Sequence, residues 1–288
     1  DSRKALLSSQ ALFFAIAGDR HDDHQYISEL YSAGIRQFVI EREVPLNKFP
    51  EANFLLTKSS VRALQALAAF NRAFHKIPVI GVTGSNGKTI IKEWLYQLLM
   101  PDFKIVKNPG SYNSQLGVPL SVWHMQAYHE LAIFEAGISR KGEMENLKKI
   151  IEPTLGIFST VGSAHDEGFT NQQEKINEKL KLFSSVQKLI YCQDYATLHE
   201  EVKKTTLSTL SWSFNIGADY TVKQNKNRVS IKFQKEEFEL TLPFTDKASV
   251  ENLLHCVFMM RHLNYSSSHI QERIKLLQVV PMRLELKQ

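Results

Sequence analysis

The chain has 288 residues, a formal net charge of +5, 43% hydrophobic residues and 23% charged residues. With a mean hydropathy of −0.24, this composition excludes intrinsic disorder, and the length suits one large domain or two ordinary ones with a sizeable core. Lysine and arginine are spread along the chain instead of forming a dense basic face, which argues against nucleic acid as a partner. Cys192 and Cys256 stand in apolar surroundings without metal-ligand spacing, so a reduced, cytoplasmic protein is expected. No apolar run approaches the roughly 18 residues of a membrane span. Arg3-Lys4 followed by Ala5–Gly18 resembles a secretory leader, but Ser8-Ser9-Gln10 interrupts its apolar part. A start at Asp1, without methionine, suggests a fragment.

In chain order, short strands at Leu12–Ile16, Gln37–Glu41 and Asn53–Thr57 surround a helix near His24–Ala33, a small α/β unit. Ser59–His75 is amphipathic, with Val61, Leu64, Leu67, Ala68 and Phe70 along one side of a helix. Lys76-Ile77-Pro78 then marks a boundary, which places a first domain over residues 1–76. The apolar run Ile77–Val82 reads as a buried strand, and after a glycine loop Ile90–Met100 has helical spacing. Strands at Lys104–Lys107, Leu131–Glu135, Leu155–Thr160 and Lys188–Cys192 alternate with helices around Asn113, at Gly142–Ile151 and at Gln172–Ser185. Such alternation predicts a mostly parallel sheet covered on both faces. Near residue 208 the pattern changes. Ser211–Phe214, Asp219–Gln224, Arg228–Gln234 and Glu237–Leu242 alternate in polarity between turn formers, so antiparallel hairpins are expected there. Helices at Ala248–Leu263 and Ser268–Leu277 follow. The predicted class is α/β: a P-loop domain with a mostly parallel sheet plus antiparallel hairpins, preceded by a small α/β domain.

The stretch Thr83-Gly84-Ser85-Asn86-Gly87-Lys88-Thr89, between strand and helix, reads as a phosphate cradle. Glycines let main-chain N–H groups converge on an anion, and the helix N-terminus adds its own. Lys88 would reach the outer phosphates and the Thr89 hydroxyl would sit on magnesium. The usual pattern has a glycine five residues before Gly87, where this chain has Val82. Ligands collect at the carboxyl ends of parallel strands, where Glu135 and His165 also fall. Glu135 could hold magnesium or be an ordinary strand-end glutamate, and His165 could be a site residue or a solvated loop histidine. Lys179 lies on a helix whose other lysines, Lys175 and Lys181, read as solvated surface, and by pattern alone Lys179 belongs with them.

Taken together, these motifs resemble the ATP-dependent Mur ligases. The family's phosphate loop is matched by Thr83–Thr89, and it too lacks the distant glycine. Within the family the likeness is greatest to the type that adds D-Ala-D-Ala to UDP-N-acetylmuramoyl-tripeptide in peptidoglycan precursor synthesis. It is carried by Lys92-Glu93, Asn108-Pro109-Gly110-Ser111-Tyr112-Asn113 with Gly117-Val118-Pro119, Glu135-Ala136-Gly137 with Gly142-Glu143, and Ala164–Phe169. Asp1-Ser2-Arg3 and Asp22-Asp23-His24 resemble its uridine-nucleotide-binding domain, and Pro281–Glu285 its link to a C-terminal domain. The resemblance implies ATP and two magnesium ions, held by Thr89 and Glu135 and by His165, with a carbamoylated Lys179 beside the second. It implies an ATP site over Thr83, Gly84, Ser85, Asn86, Gly87, Lys88 and Thr89, with Asn252 at the adenine. Asn113 would lie by the phosphates, Arg283 near the transferring phosphate, and Ser2, Arg3 and His24 at the substrate. The implied layout is a partial N-terminal domain at 1–76, an ATP-binding domain at 77–281 and, from 282, a link to an absent C-terminal domain, without which the fragment is expected to be inactive.

Departures are Ala248 and Ser249 where a His-Asn pair is common, Lys181 for a glutamate, and Asp23 for a glycine. The Ser111–Gln115 variant suits a lineage in which such a ligase is fused to alanine racemase. Within the resemblance the alternative is another ligase of the superfamily (third-amino-acid-adding or folylpolyglutamate-synthase-like), and outside it a nucleotide-binding module without catalysis, or a P-loop kinase or transport ATPase.

Overall fold

The computed structural model describes residues 10–18, 21–162 and 168–278. The chain divides into two compact units, Asp1–Phe70 and Asn71–Gln288. In the first, β1 (Leu12–Phe14), β2 (Ala17–Gly18), β3 (His21–Asp22), α1 (Ile27–Ser32), β4 (Gln37–Ile40) and β5 (Asn53–Leu56) precede α2 (Ser60–Ala73), which runs across the division. A three-stranded parallel sheet, β1-β4-β5, backs a core of Ala15, Ile27, Leu30, Ile35, Phe38, Ile40 and Phe49.

The second unit is built on a nine-stranded sheet. Its elements are β6 (Val79–Thr83), α3 (Lys88–Leu99), β7 (Ile105–Lys107), α4 (Gly117–Trp123), β8 (Leu131–Glu135), α5 (Glu143–Ile151), β9 (Leu155–Phe158), α6 (Gln172–Leu180), β10 (Lys188–Cys192), α7 (Ala196–Lys203), β11 (Thr209–Ser213), β12 (Tyr220–Asn225), β13 (Arg228–Phe233), β14 (Glu236–Thr241), α8 (Lys247–His262) and α9 (Ser267–Ile274). The strand order is β14-β13-β12-β11-β10-β9-β6-β8-β7. β6, β8 and β9 are buried at every residue, as continuous apolar runs covered on both faces must be.

Thus β6, with its phosphate loop, lies between β8 and β9, and the polar residues at the ends of these three strands face one edge. Close packing behind that edge explains Gly81 and Gly156. A Cβ would sit 2.9 Å from the Pro153 side chain at the first and 2.5 Å from the Phe183 ring at the second.

The expected hairpins are present only in part. β12, β13 and β14 form an antiparallel meander, with Val222, Val229, Ile231 and Leu240 buried in alternation. β11, however, is parallel to β10, and β12 joins β11 in parallel through two register pairs, Trp212–Tyr220 and Ser213–Thr221. The first of these pairings follows from α7, a helix absent from the sequence reading. It buries Leu198 and Val202 and carries the chain back across the sheet, so that β11 sets off in the direction of β10.

Candidate active site

Main-chain geometry makes the phosphate loop. Gly84 (φ +144) and Gly87 (φ +80) occupy the left-handed region, and a Cβ would fall 2.0 Å from Ser159 Oγ at the first and 2.1 Å from Asn252 Oδ1 at the second. Only glycine meets both demands. The turn is tied down where Ser85 N donates to Thr160 O (2.8 Å), Asn86 N to Thr160 Oγ1 (3.1 Å) and Ser159 Oγ to Asn86 O (2.6 Å). Gly87 caps α3 without a side-chain hydrogen bond. The first-turn N–H groups therefore have no side-chain acceptor at the cap, which suits an anion.

Three lysines gather on this loop. Lys88 Nζ donates to Gly84 O and Ser85 O, both at 3.0 Å, and Lys179 Nζ donates to Gly84 O at 2.8 Å. Lys175, one turn before Lys179, is buried with it, each 4% exposed. Both were surface by pattern alone, and the structure corrects that. The signal was legible in the helix Gln172–Leu180, where Ile176 and Leu180 lie next to Lys175 and Lys179 and turn the same side inward. Burial pushes the Lys179 ammonium down to about 7, with the charges of Lys88 and Lys175 adding to the effect. Lys88 is lowered chiefly by burial, opposed by Glu135 and reinforced by Lys175. A cluster of this sign invites a polyanion.

The opposing carboxylate is Glu135, fully buried at the end of β8. Asn108 Oδ1 accepts its main-chain N–H (2.7 Å), and Asn113 Nδ2 donates to its Oε1 (2.7 Å). Oε2 is buried and has no hydrogen-bond partner. Its near neighbour is Lys92 Nζ at 3.7 Å, and Lys92 is fully buried as well. An orphaned carboxylate oxygen beside a phosphate loop is the hard donor that magnesium takes, so the chemistry of Glu135 fits a metal; Thr89, the second residue of α3, offers a hydroxyl at the same loop. Among the described residues no group of three His, Cys, Asp or Glu side chains is placed to hold a metal ion.

The other expected residues are placed variously. Asn252 on α8 packs against Gly87, and its buried Oδ1 has no hydrogen-bond partner. Thr83 is turned away from a ligand, since its hydroxyl donates to Ala136 O at 2.8 Å and ties β6 to the end of β8. In the first unit His24 has both ring nitrogens engaged. Nε2 accepts from Glu41 N (3.0 Å) and Nδ1 meets Asp22 Oδ1 (2.7 Å), contacts that hold its own fold. Ser2, Arg3, His165 and Arg283 lie outside the described residues. The sequence reading assigned no role to Lys92 or Asn108. Their signal was a lysine one helical turn beyond Lys88 and an asparagine closing a strand, neither distinguishable by pattern from surface residues.

A family model of the Mur ligase middle domain matches residues 82–260, which span this whole site. The chain is 27% identical over 289 aligned positions to the UDP-N-acetylmuramoyl-tripeptide--D-alanyl-D-alanine ligase of Bacillus subtilis, covering 99% of this chain and 63% of that protein. It is 34% identical over 193 positions to the ligase of the same name from Treponema pallidum, covering 64% of this chain and 41% of that protein. Among solved structures it resembles the MurF ligase of Thermotoga maritima in complex with ADP, at 26% identity and TM-score 0.82 over 96% of this chain and 66% of that one. A MurF structure from Acinetobacter baumannii, at 24% identity and TM-score 0.84 over 97% of this chain and 62% of that one, shares the fold. The chain thus spans about three-fifths of the length of the Bacillus subtilis protein that it matches. With the family match covering more than half its length and including the glycine loop and Glu135, the chain belongs to the Mur ligase family.

Proposed function

We propose that the full-length protein is a cytoplasmic, ATP-dependent ligase that joins D-Ala-D-Ala to UDP-N-acetylmuramoyl-tripeptide in peptidoglycan precursor synthesis. The observation that carries the nucleotide half of this reading is the glycine-framed turn at Gly84 and Gly87, with Lys88 and Lys179 held to its carbonyls and Glu135 Oε2 buried without a hydrogen bond. The substrates are inferred from the names of the relatives in Bacillus subtilis and Treponema pallidum.

In the proposed reaction the terminal carboxylate of the tripeptide attacks the γ-phosphorus of ATP. An O–P bond forms, ADP leaves, and the amine of D-Ala-D-Ala then displaces phosphate from the acyl phosphate and loses a proton as the amide forms. The protein's part in the first step is positioning and charge neutralisation. Main-chain N–H groups of the loop hold the phosphates, and Lys88, released from the carbonyls of Gly84 and Ser85, follows the charge onto the transferring group. Magnesium on Thr89 and Glu135, with a second ion on His165, would supply further charge neutralisation. Lys179 is a candidate for carbamoylation: a buried amine that titrates near 7 is partly neutral at physiological pH and can add CO₂, releasing one proton and forming a carbamate. Asn252 is assigned to the adenine, Asn113 to orienting Glu135, Arg283 to the transferring phosphate, and Ser2, Arg3 and His24 to the uridine-bearing substrate.

The test is ligation by the full-length protein offered each UDP-muramoyl precursor with D-Ala-D-Ala or single amino acids. Turnover with tripeptide and D-Ala-D-Ala, lost in Lys88→Ala, is expected. Turnover confined to another precursor, or ATP-dependent turnover unchanged in Lys88→Ala, would sink the proposal.

A further inference from the structure

Lys92 lies one turn beyond Lys88 on α3 and is fully buried, an uncommon place for an ammonium. Its Nζ donates to Asn108 O at 2.8 Å and to Gly110 O, and it pairs with Glu93 Oε1 at 3.1 Å and Glu135 Oε2 at 3.7 Å. Glu93 is in turn held by both oxygens to Lys107 Nζ, at 2.9 and 2.8 Å. Lys92 and Lys107 against Glu93 and Glu135 form a cluster whose charges cancel without any metal. Lys88, which feels the charge of Glu135, and Lys175, which acts with it, add positive charge around that cluster. A free divalent cation arriving at Glu135 would therefore meet a place already balanced, in surroundings of its own sign. The same cation arriving on a triphosphate brings excess negative charge with it.

We propose that Lys92 is the internal counter-cation of Glu135 and that, by holding this place, it keeps the carboxylate from taking up a free divalent cation, so that metal enters only together with a nucleotide polyphosphate. This rests on the reading of Glu135 as a metal ligand. Lys92 is a positioning residue: it touches the ligand carboxylate and the loop Asn108–Gly110, and it decides in which company the metal is accepted.

The test is titration of Mn²⁺ into the full chain, followed by electron paramagnetic resonance of the free ion. Without nucleotide, wild type and Glu135→Gln should bind Mn²⁺ alike, and with ADP wild type should bind it more tightly than Glu135→Gln. Lys92→Met without nucleotide should bind Mn²⁺ at least about tenfold more tightly than wild type, and Lys92→Met with Glu135→Gln should lose that gain. Damage to the fold does not produce a gain of binding. A Lys92→Met protein that titrates like wild type overturns the proposal and leaves Glu135 as a ligand. Wild type and Glu135→Gln binding Mn²⁺ alike in the presence of ADP overturns the ligand assignment, and the proposal with it. Should Lys92→Met fail to fold, wild type decides: Glu135-dependent binding as tight without ADP as with it overturns the proposal, and binding only with ADP supports it.

Discussion

Glu135→Gln keeps the shape of the side chain and removes its charge. Asn113 Nδ2 can still donate to the remaining carbonyl oxygen, so the link at 2.7 Å survives. What is lost is the pairing with Lys92 at 3.7 Å. At an effective dielectric of about 20, two unit charges at that distance attract by roughly 4 kcal/mol. The net cost is smaller, because Glu93 Oε1 at 3.1 Å and the carbonyls of Asn108 and Gly110 continue to hold the ammonium. We expect Glu135→Gln to lose about 1–3 kcal/mol of unfolding free energy in urea. Calorimetric titration of ADP should then separate two roles. With excess EDTA the variant and wild type should bind ADP alike, since the glycine loop and Lys88 are intact, whereas with Mg²⁺ wild type should gain affinity and the variant should not. Equal loss of ADP affinity with and without Mg²⁺ would mean that Glu135 acts through loop shape alone, and the reasoning about its orphaned oxygen would be refuted.

Other consequences can be checked one at a time. Gly84→Ala would place a Cβ 2.0 Å from Ser159 Oγ at a φ of +144°, so ADP binding should be abolished while far-ultraviolet circular dichroism stays close to wild type. Arg72→Ala should cost about 2–4 kcal/mol in urea unfolding, because this buried guanidinium donates to Ile151 O, Glu152 O and His75 O and closes the C-terminus of α5; a loss within error of zero would contradict it. Burial holds the fully buried His255 down at about 3 against an ordinary 6.5. Below pH 6.5 the unfolded chain takes up a proton that the folded one refuses, so stability falls with falling pH across the window from 6.5 to 3. His255→Leu should remove about 2 kcal/mol of the loss seen between pH 6.5 and pH 5, measured by urea unfolding at both. For Lys179, ¹³C-labelled bicarbonate should give a carbamate resonance that is missing in Lys179→Met, and the same signal in both proteins would assign it elsewhere.

Much of the frame was legible because the central strands are long apolar runs and the phosphate loop is bounded by two glycines whose conformations no other residue adopts easily. The parallel course of β11 was not, because α7 buries only a few apolar residues and its short pattern is weaker than the alternation of the strands that follow. Individual side chains were legible to the extent that local sequence decides their surroundings. Lys88 follows from its place at a helix start. For Lys175 and Lys179 the neighbouring Ile176 and Leu180 carried the signal, but the habit of lysine to lie on the surface outweighed it. Lys92 was hidden for a stronger reason: its partners Asn108, Gly110 and Glu135 are remote in sequence, and only the adjacency of β8 and β7 brings them to α3. For Thr83 and His24 the hidden part was the opposite one: motif membership says nothing about whether a polar atom also has a partner within its own fold, as both do.

The most direct measurement is a crystal structure of the chain grown with Mg²⁺ and a non-hydrolysable ATP analogue. The account predicts the β- and γ-phosphates against the main-chain N–H groups of Gly87–Thr89, Lys88 Nζ turned from the Gly84 and Ser85 carbonyls onto the γ-phosphate, and a metal ion on Glu135 Oε2. A nucleotide seated elsewhere, or a metal whose ligands do not include Glu135, would contradict it.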